Sequence, residues 1–179
     1  ADGAWAAPAI LPVTDSLPNA LAIALQAKQP LVVMVSLHGC SFCKVVRENY
    51  LHPLRDVGLQ IVQIDMRNSR AIVDFDGTSS TQDAWVRKYG IKLAPTVLFF
   101  GNQGREVAAR LKGAYLPDFY GAYLDEQLLV ARQINAQRQV RRFDLDRPCV
   151  SGFDVDAVQM NDRIQHIQGA GLPSRSREI

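Results

Sequence analysis

The sequence predicts an α/β fold: a mixed sheet of four to five strands sandwiched by helices, with a helical extension at the C-terminal end. Three observations lead there. Leu31-Val32-Val33-Met34-Val35-Ser36-Leu37 is a continuous β-branched-rich run, as expected of a strand buried on both faces. A helical stretch and a second strand-like run at 59–66 follow it, making a βαβ unit. Runs at 96–100 and 106–111 flank the turn Gly101-Asn102-Gln103-Gly104 and precede a long helical pattern. Joining a βαβ half to a ββα half requires parallel and antiparallel pairing in one sheet.

The elements follow in order. Residues 1–14, rich in Ala and Pro, have no clear period and read as a lead-in segment. A helix begins near Pro18, with Asp15 and Ser16 as caps and Leu21, Ala22 and Leu25 near helical spacing, and Pro30 stops it. After the first strand, His38-Gly39-Cys40-Ser41-Phe42-Cys43-Lys44 is a loop turning into a helix that ends near Pro53. Residues 67–80 are polar and turn-rich, and read as an insertion with a short helix around Ile72. A helix at 81–89 presents Trp85, Val86 and Tyr89, and Gly90 terminates it. From Pro117 a long helix places Phe119, Tyr120, Tyr123, Leu124, Leu128 and Ala131 three or four apart and extends to about Arg142. The main domain is thus expected at 15–142. The extension 143–179 is expected to be partly disordered, with a weak helical pattern at 155–168.

Composition narrows the function. With 47% apolar and 21% charged residues the chain is neither low-complexity nor wholly disordered. A net charge of +2 supplies no electrostatic reason to bind nucleic acid or an anionic membrane. No apolar run approaches the ~18–20 residues of a membrane helix, so no stable membrane insertion is expected. Three cysteines are too few for a disulfide scaffold. The opening Ala1-Asp2-Gly3, small and without an initiator Met, fits cleavage of a secretory signal peptide.

The motif with chemistry in it is Cys40-Ser41-Phe42-Cys43 at a strand-to-helix junction. At the first helical turn, unpaired backbone N–H groups and the positive end of the helix dipole stabilise a thiolate, and only the thiolate attacks a disulfide. Cys40 is therefore the expected attacking sulfur. Cys43, one turn on and less exposed, would close the small ring and release the partner reduced. Two blander readings compete. Zinc needs about four ligands, and only Cys149, His38 and His52 are on offer, with no second C-x-x-C. A purely structural disulfide over so short a loop stabilises little. No metal and no cofactor are expected.

Two stretches then carry a resemblance. One is residues 31–44: the strand, the C-x-x-C and Lys44. The other runs Val86-Arg-Lys-Tyr-Gly-Ile-Lys-Leu-Ala-Pro-Thr-Val-Leu-Phe-Phe to Gly104-Arg105-Glu106, then Lys112-Gly113-Ala114-Tyr115. Over roughly residues 15–127 the chain resembles the thioredoxin fold and, within it, the thioredoxin-like disulfide oxidoreductases of the bacterial periplasm. That group includes the thioredoxins of sulfur oxidation and cytochrome maturation. The resemblance implies a disulfide-bearing protein as substrate, a membrane thiol relay as electron donor and a periplasmic location. It also implies a cis proline facing the redox pair, at Pro95, with the backbone at Ala94 free to pair with an extended substrate. The alternative at Pro95 is an ordinary trans proline starting a strand.

Departures from the family pattern bear on redox direction. Met34 stands where thioredoxins keep a buried carboxylate, Gly39 replaces the usual Trp, and Ala94 replaces a branched residue. Ser41-Phe42 contains no His to stabilise the thiolate, which leans toward a reductase. His38, two residues before Cys40, is either a modulator or a solvated loop residue, and Ser41, Phe42 and Lys44 are further modulators. The competing functions are a redox-silent adaptor built on the same fold and a carrier of metal through Cys40 and Cys43.

Other residues read as structure. Trp85, Tyr89, Phe99 and Phe100 build the core or flank the site. Cys149 is expected to be a semi-buried thiol, with pairing to another chain as the alternative, and the arginines at 138, 141, 142 and 147 a solvated helix end. Asp74, Asp76 and Thr78 only loosely resemble a cation loop, without EF-hand spacing. Gly101 and Gly104 precede no helix and are not a phosphate loop.

Overall fold

Strand β1 (Leu31–Ser36) is buried at all six positions and feeds two separate cores. Val32 and Met34 point into one layer with Cys43, while Leu31, Val33 and Val35 point into the other with Trp85. This is the period-two alternation of a strand, with both faces covered. The structure, a computed structural model, describes residues 10–114 and 117–145. The expected helical pattern at 155–168 and Cys149 lie outside the described residues.

β2 (Ile61–Asp65) pairs with β1 in parallel, from Val32 opposite Ile61 to Ser36 opposite Asp65. On its other side β1 pairs with β5 (Thr96–Gly101) antiparallel, from Leu31 opposite Phe100 to Val35 opposite Thr96. β6 (Arg105–Glu106) and β7 (Leu111–Lys112) both pair with β5, so the mixed sheet has five strands in the order β2-β1-β5-β6. The hairpin turn needs glycine at its last position. Gly104 has φ +64°, and a Cβ there would lie 2.3 Å from the side chain of Phe75.

Helix α1 (Leu17–Gln26) starts where expected: Ser16 is the N-cap, accepting the Asn19 N–H at 3.3 Å, and Pro18 occupies the first turn. It covers one sheet face with α4 (Gln82–Lys88). The other face is covered by the helical run after Cys40 and by α5 (Pro117–Leu145). Tyr120, Leu124, Leu128 and Ala131 of α5 are buried at spacings of three and four, and the helix continues past the expected limit at Arg142. Each large apolar side chain fully buried in these layers contributes roughly 1.5–3 kcal/mol. No helix among the described residues is long and apolar enough to cross a membrane.

Three local expectations are corrected. The segment 67–80 holds no helix at Ile72. It forms a hairpin of β3 (Ala71–Val73) and β4 (Ser79–Thr81), with Ile72 opposite Ser80. Each strand is three residues long and β3 buries only Ile72, which is too little for a period to register. The expected strand at 106–111 is split, because the chain between β6 and β7 leaves the ladder: the Ala109 N–H donates to Gln127 Oε1 of α5 at 2.9 Å. The helical run after Cys40 does not stop near Pro53. It passes from α2 (Ser41–Val45) through a π-helical turn (Val46–Leu51) into α3 (His52–Asp56). Pro53 sits in the first turn of α3, where a missing N–H is tolerated.

The lead-in also has structure. Val13 bridges Gln63 in parallel, the Gln63 N–H donates to the Pro12 carbonyl at 2.8 Å, and Leu11 is fully buried.

Candidate active site

The β1–α2 loop delivers both cysteines. Cys40 is the N-cap of α2, with extended backbone at φ −79° and ψ 111°. Its Sγ accepts the Cys43 N–H at 3.1 Å, while its carbonyl accepts the Lys44 N–H. The two cysteines form a disulfide with their Cα atoms 5.2 Å apart. Their environments differ. Cys43 is completely buried in the layer containing Met34, Val46, Val97 and Leu124, whereas Cys40 is only partly buried against it.

The other half of the site comes from the segment before β5. Because Val35 lies opposite Thr96, the chain leaving β1 and the chain entering β5 meet at one end of the sheet. The Ala94–Pro95 peptide bond is cis. Pro95 is buried, its carbonyl accepts the Gly113 N–H at 2.7 Å, and the Thr96 hydroxyl donates to the Leu93 carbonyl at 2.7 Å. Ala94 is half-buried against the same core layer as Cys40.

The flanking residues divide. Phe42 is 61% exposed, so an aromatic ring stands in solvent between the two cysteines. Ser41, Lys44 and His38 are also exposed, and His38 lines the same concavity as Cys40. Met34 is fully buried in the same core layer as Cys43, so β1 brings an apolar thioether to that layer. Among the described residues no group of three His, Cys, Asp or Glu side chains is placed to hold a metal ion.

A sequence profile described as a thioredoxin-like domain matches residues 17–128, more than half of the chain. The chain belongs to the thioredoxin-like domain family. With a disulfide across its C-x-x-C, this thioredoxin-like protein is a thiol–disulfide oxidoreductase. Solved structures similar to it include a poplar thioredoxin h, at 20% identity over 60% of this chain and 84% of that one, with a TM-score of 0.43. Thioredoxin f2 of Chlamydomonas reinhardtii matches at 18% identity over 66% and 97%, with a TM-score of 0.45. A thioredoxin-fold protein from Helicobacter pylori matches at 16% over 64% and 86%, with a TM-score of 0.40. No curated protein sequence matches the chain.

The aromatic residues of the thioredoxin-like domain fall on opposite sides of its sheet. Phe99 shares the layer of Cys43, while Trp85 and Phe100 are buried in the layer on the far face, with Tyr89 packed against them. Asp74 is buried there as well and ties the hairpin to α4. It accepts from Trp85 Nε1 at 2.9 Å and from the Phe75 N–H at 2.7 Å, and it pairs with Lys88 Nζ. Burial and then the nearby charge of Asp74 push the Tyr89 phenol up to about 12.

Sequence reasoning missed Arg47. Its Nε donates to Gln63 Oε1 at 2.8 Å and its Nη2 to Ser36 Oγ at 3.0 Å, across the floor of a concavity beside Cys40. The signal was available: Cys40, Lys44 and Arg47 are spaced by four and three, which puts them on one helical face.

Proposed function

We propose that this thioredoxin-like protein reduces disulfides in protein substrates of the bacterial periplasm, drawing electrons from a membrane thiol relay. The observation that carries this reading is the inequality of the two sulfurs. Cys40 is accessible and accepts an N–H at Sγ, and Cys43 is completely buried behind it. A hydrogen bond donated to sulfur favours the thiolate, so Cys40 is the nucleophile of the reduced form.

The exchange proceeds in two displacements. The Cys40 thiolate attacks one sulfur of the substrate disulfide, and the other substrate sulfur leaves as a thiolate. Cys43, losing its proton, attacks the Cys40 sulfur and expels the second substrate sulfur. The substrate gains two electrons and the pair becomes the disulfide. A donor dithiol then reduces Cys40–Cys43 by the reverse sequence. Ala94, before the cis Pro95, offers backbone for an extended substrate segment, and exposed Phe42 offers it an apolar contact. Ser41-Phe42 brings no cation between the cysteines, which favours reduction over strong oxidation.

Reduction of insulin with dithiothreitol as donor tests the reading. Wild type should accelerate precipitation and Cys40→Ser should match the uncatalysed rate; equal rates for the two proteins would reject it. The potential of the pair, equilibrated against glutathione, should fall nearer ~−270 mV than ~−120 mV. In the organism of origin the protein should appear in the periplasmic fraction, and recovery in the cytosol alone would reject the location and the membrane donor.

A further inference from the structure

A concavity of about 470 Å³ opens beside Cys40, walled by residues 36–41 on one side and by Lys44 and Arg47 on the other, with Gln63 beneath. Cys40 lines it but Ala94 and Pro95 do not, so it adjoins the proposed substrate groove at Cys40. Its floor is organised around Arg47. That half-buried guanidinium is held by two neutral acceptors, Gln63 Oε1 at 2.8 Å and Ser36 Oγ at 3.0 Å. These contacts use Nε and one hydrogen of Nη2, leaving Nη1 and the second Nη2 hydrogen as donors.

Among the described residues Arg47 takes part in no ion pair. Two acids also line the concavity. Asp65 accepts the Arg67 N–H at 3.0 Å through Oδ1. Glu48 is the next residue after Arg47 on the helical run, and consecutive helical side chains do not face each other. Lys44, exposed at the rim one turn from Cys40, adds a second positive charge. A guanidinium fixed by neutral partners at the floor of a concave site is a preorganised fork for a carboxylate.

We infer that Arg47 is a specificity-determining residue that binds a substrate carboxylate beside Cys40, so that the enzyme prefers disulfides whose cysteine adjoins an Asp or Glu. The inference rests on the reductase reading and names the substrate class for the same pair. Ser36 and Gln63 act through Arg47 as positioning residues. Ser36 is almost fully buried, and its small side chain leaves the floor open.

The test uses two disulfide peptides, identical except for Glu or Gln next to one cysteine, with kcat and KM measured for each. Wild type should favour the Glu peptide about tenfold in kcat/KM, mostly through KM, as one charge-assisted hydrogen bond would give. Arg47→Met should bring the ratio near one by lowering kcat/KM for the Glu peptide more than for the Gln peptide, and Arg47→Lys should restore part of it. Should Arg47→Met not fold, the wild-type ratio itself decides, because it should shrink between low salt and about 0.5 M salt. A wild-type ratio near one, a ratio that salt leaves unchanged, or a ratio that survives Arg47→Met overturns the inference and leaves the reductase reading standing. Turnover of neither peptide overturns both.

Discussion

The two faces of one sheet differ in whether they hold a buried acid. On the face with α1 and α4, Asp74 is buried and fully engaged by Trp85, Phe75 and Lys88. On the face with α2 and α5, where the disulfide lies, β1 supplies Met34, and the layer around Cys43 is apolar. Buried polar atoms without a partner among the described residues occur on both faces: the Tyr120 hydroxyl and the Asn135 amide here, and Gln82 Nε2 of α4 on the other. A buried carboxylate persists only when it is paired and hydrogen-bonded. The far face meets that condition with a structural anchor. Among the described residues Asp74 is the one buried acid, so on the redox face the Cys43 proton leaves without a buried carboxylate to take it. Stability and reactivity are separated by the thickness of the sheet.

The largest test of this contrast is to split the pair. Cys43→Ser should leave attack by Cys40 intact but block release, so a mixed disulfide with substrate should accumulate on a non-reducing gel, and multiple turnover should fall to background. Free turnover in that variant would deny Cys43 its resolving role.

Next, Met34→Asp would give the redox face the carboxylate it lacks. With no partner there, the acid should destabilise the fold by roughly 3 kcal/mol or more at neutral pH. Burial raises its folded pKa, so the loss should shrink as pH falls toward the ordinary carboxylate range. Urea unfolding at two pH values reads both effects. An unchanged midpoint would mean that this layer is wetter than its packing implies.

On the far face, Asp74→Ala should cost about 2–3 kcal/mol in urea unfolding, because the buried Trp85 Nε1 loses its acceptor. Insulin reduction by the folded fraction should be unaffected. A change in the potential of the pair would break the separation of the two faces.

The smallest expected effect is at acid pH. Hydrogen bonds from the Thr78 hydroxyl and N–H, and then from Lys88, hold the Asp76 carboxyl below its usual 3.8. In that range the unfolded chain binds the proton first. Stability from Asp76 is therefore present above 3.8 and lost as pH falls toward the folded value. Asp76→Asn should flatten this part of the stability curve. A curve unchanged by the substitution would show that the loop contributes nothing in solution.

Much of this molecule was legible from residue order. The continuous apolar run of β1 announced a strand covered on both sides, and Ser16 and Pro18 marked the start of α1, which ends at Gln26, short of the expected stop at Pro30. Cys40 and Cys43 pointed to their chemistry by their spacing at a strand-to-helix junction together with the pattern around Pro95. What stayed hidden were contacts whose partners lie far apart in the chain. The hairpin of β3 and β4 buries Ile72 in a core that other elements complete, and Asp74 reaches Trp85 and Lys88 eleven and fourteen positions on. The break between β6 and β7 depends on a glutamine in α5.

Local pattern determined α1, the strands β1, β2 and β5 and the redox motif, because periodicity, capping and thiol chemistry act within a few residues. Folding in three dimensions decided which face holds a buried acid and what surrounds the guanidinium of Arg47. Burial and hydrogen-bond partnership belong to neighbours in space, and for Ser36, Arg47 and Gln63 those neighbours come from three separate segments.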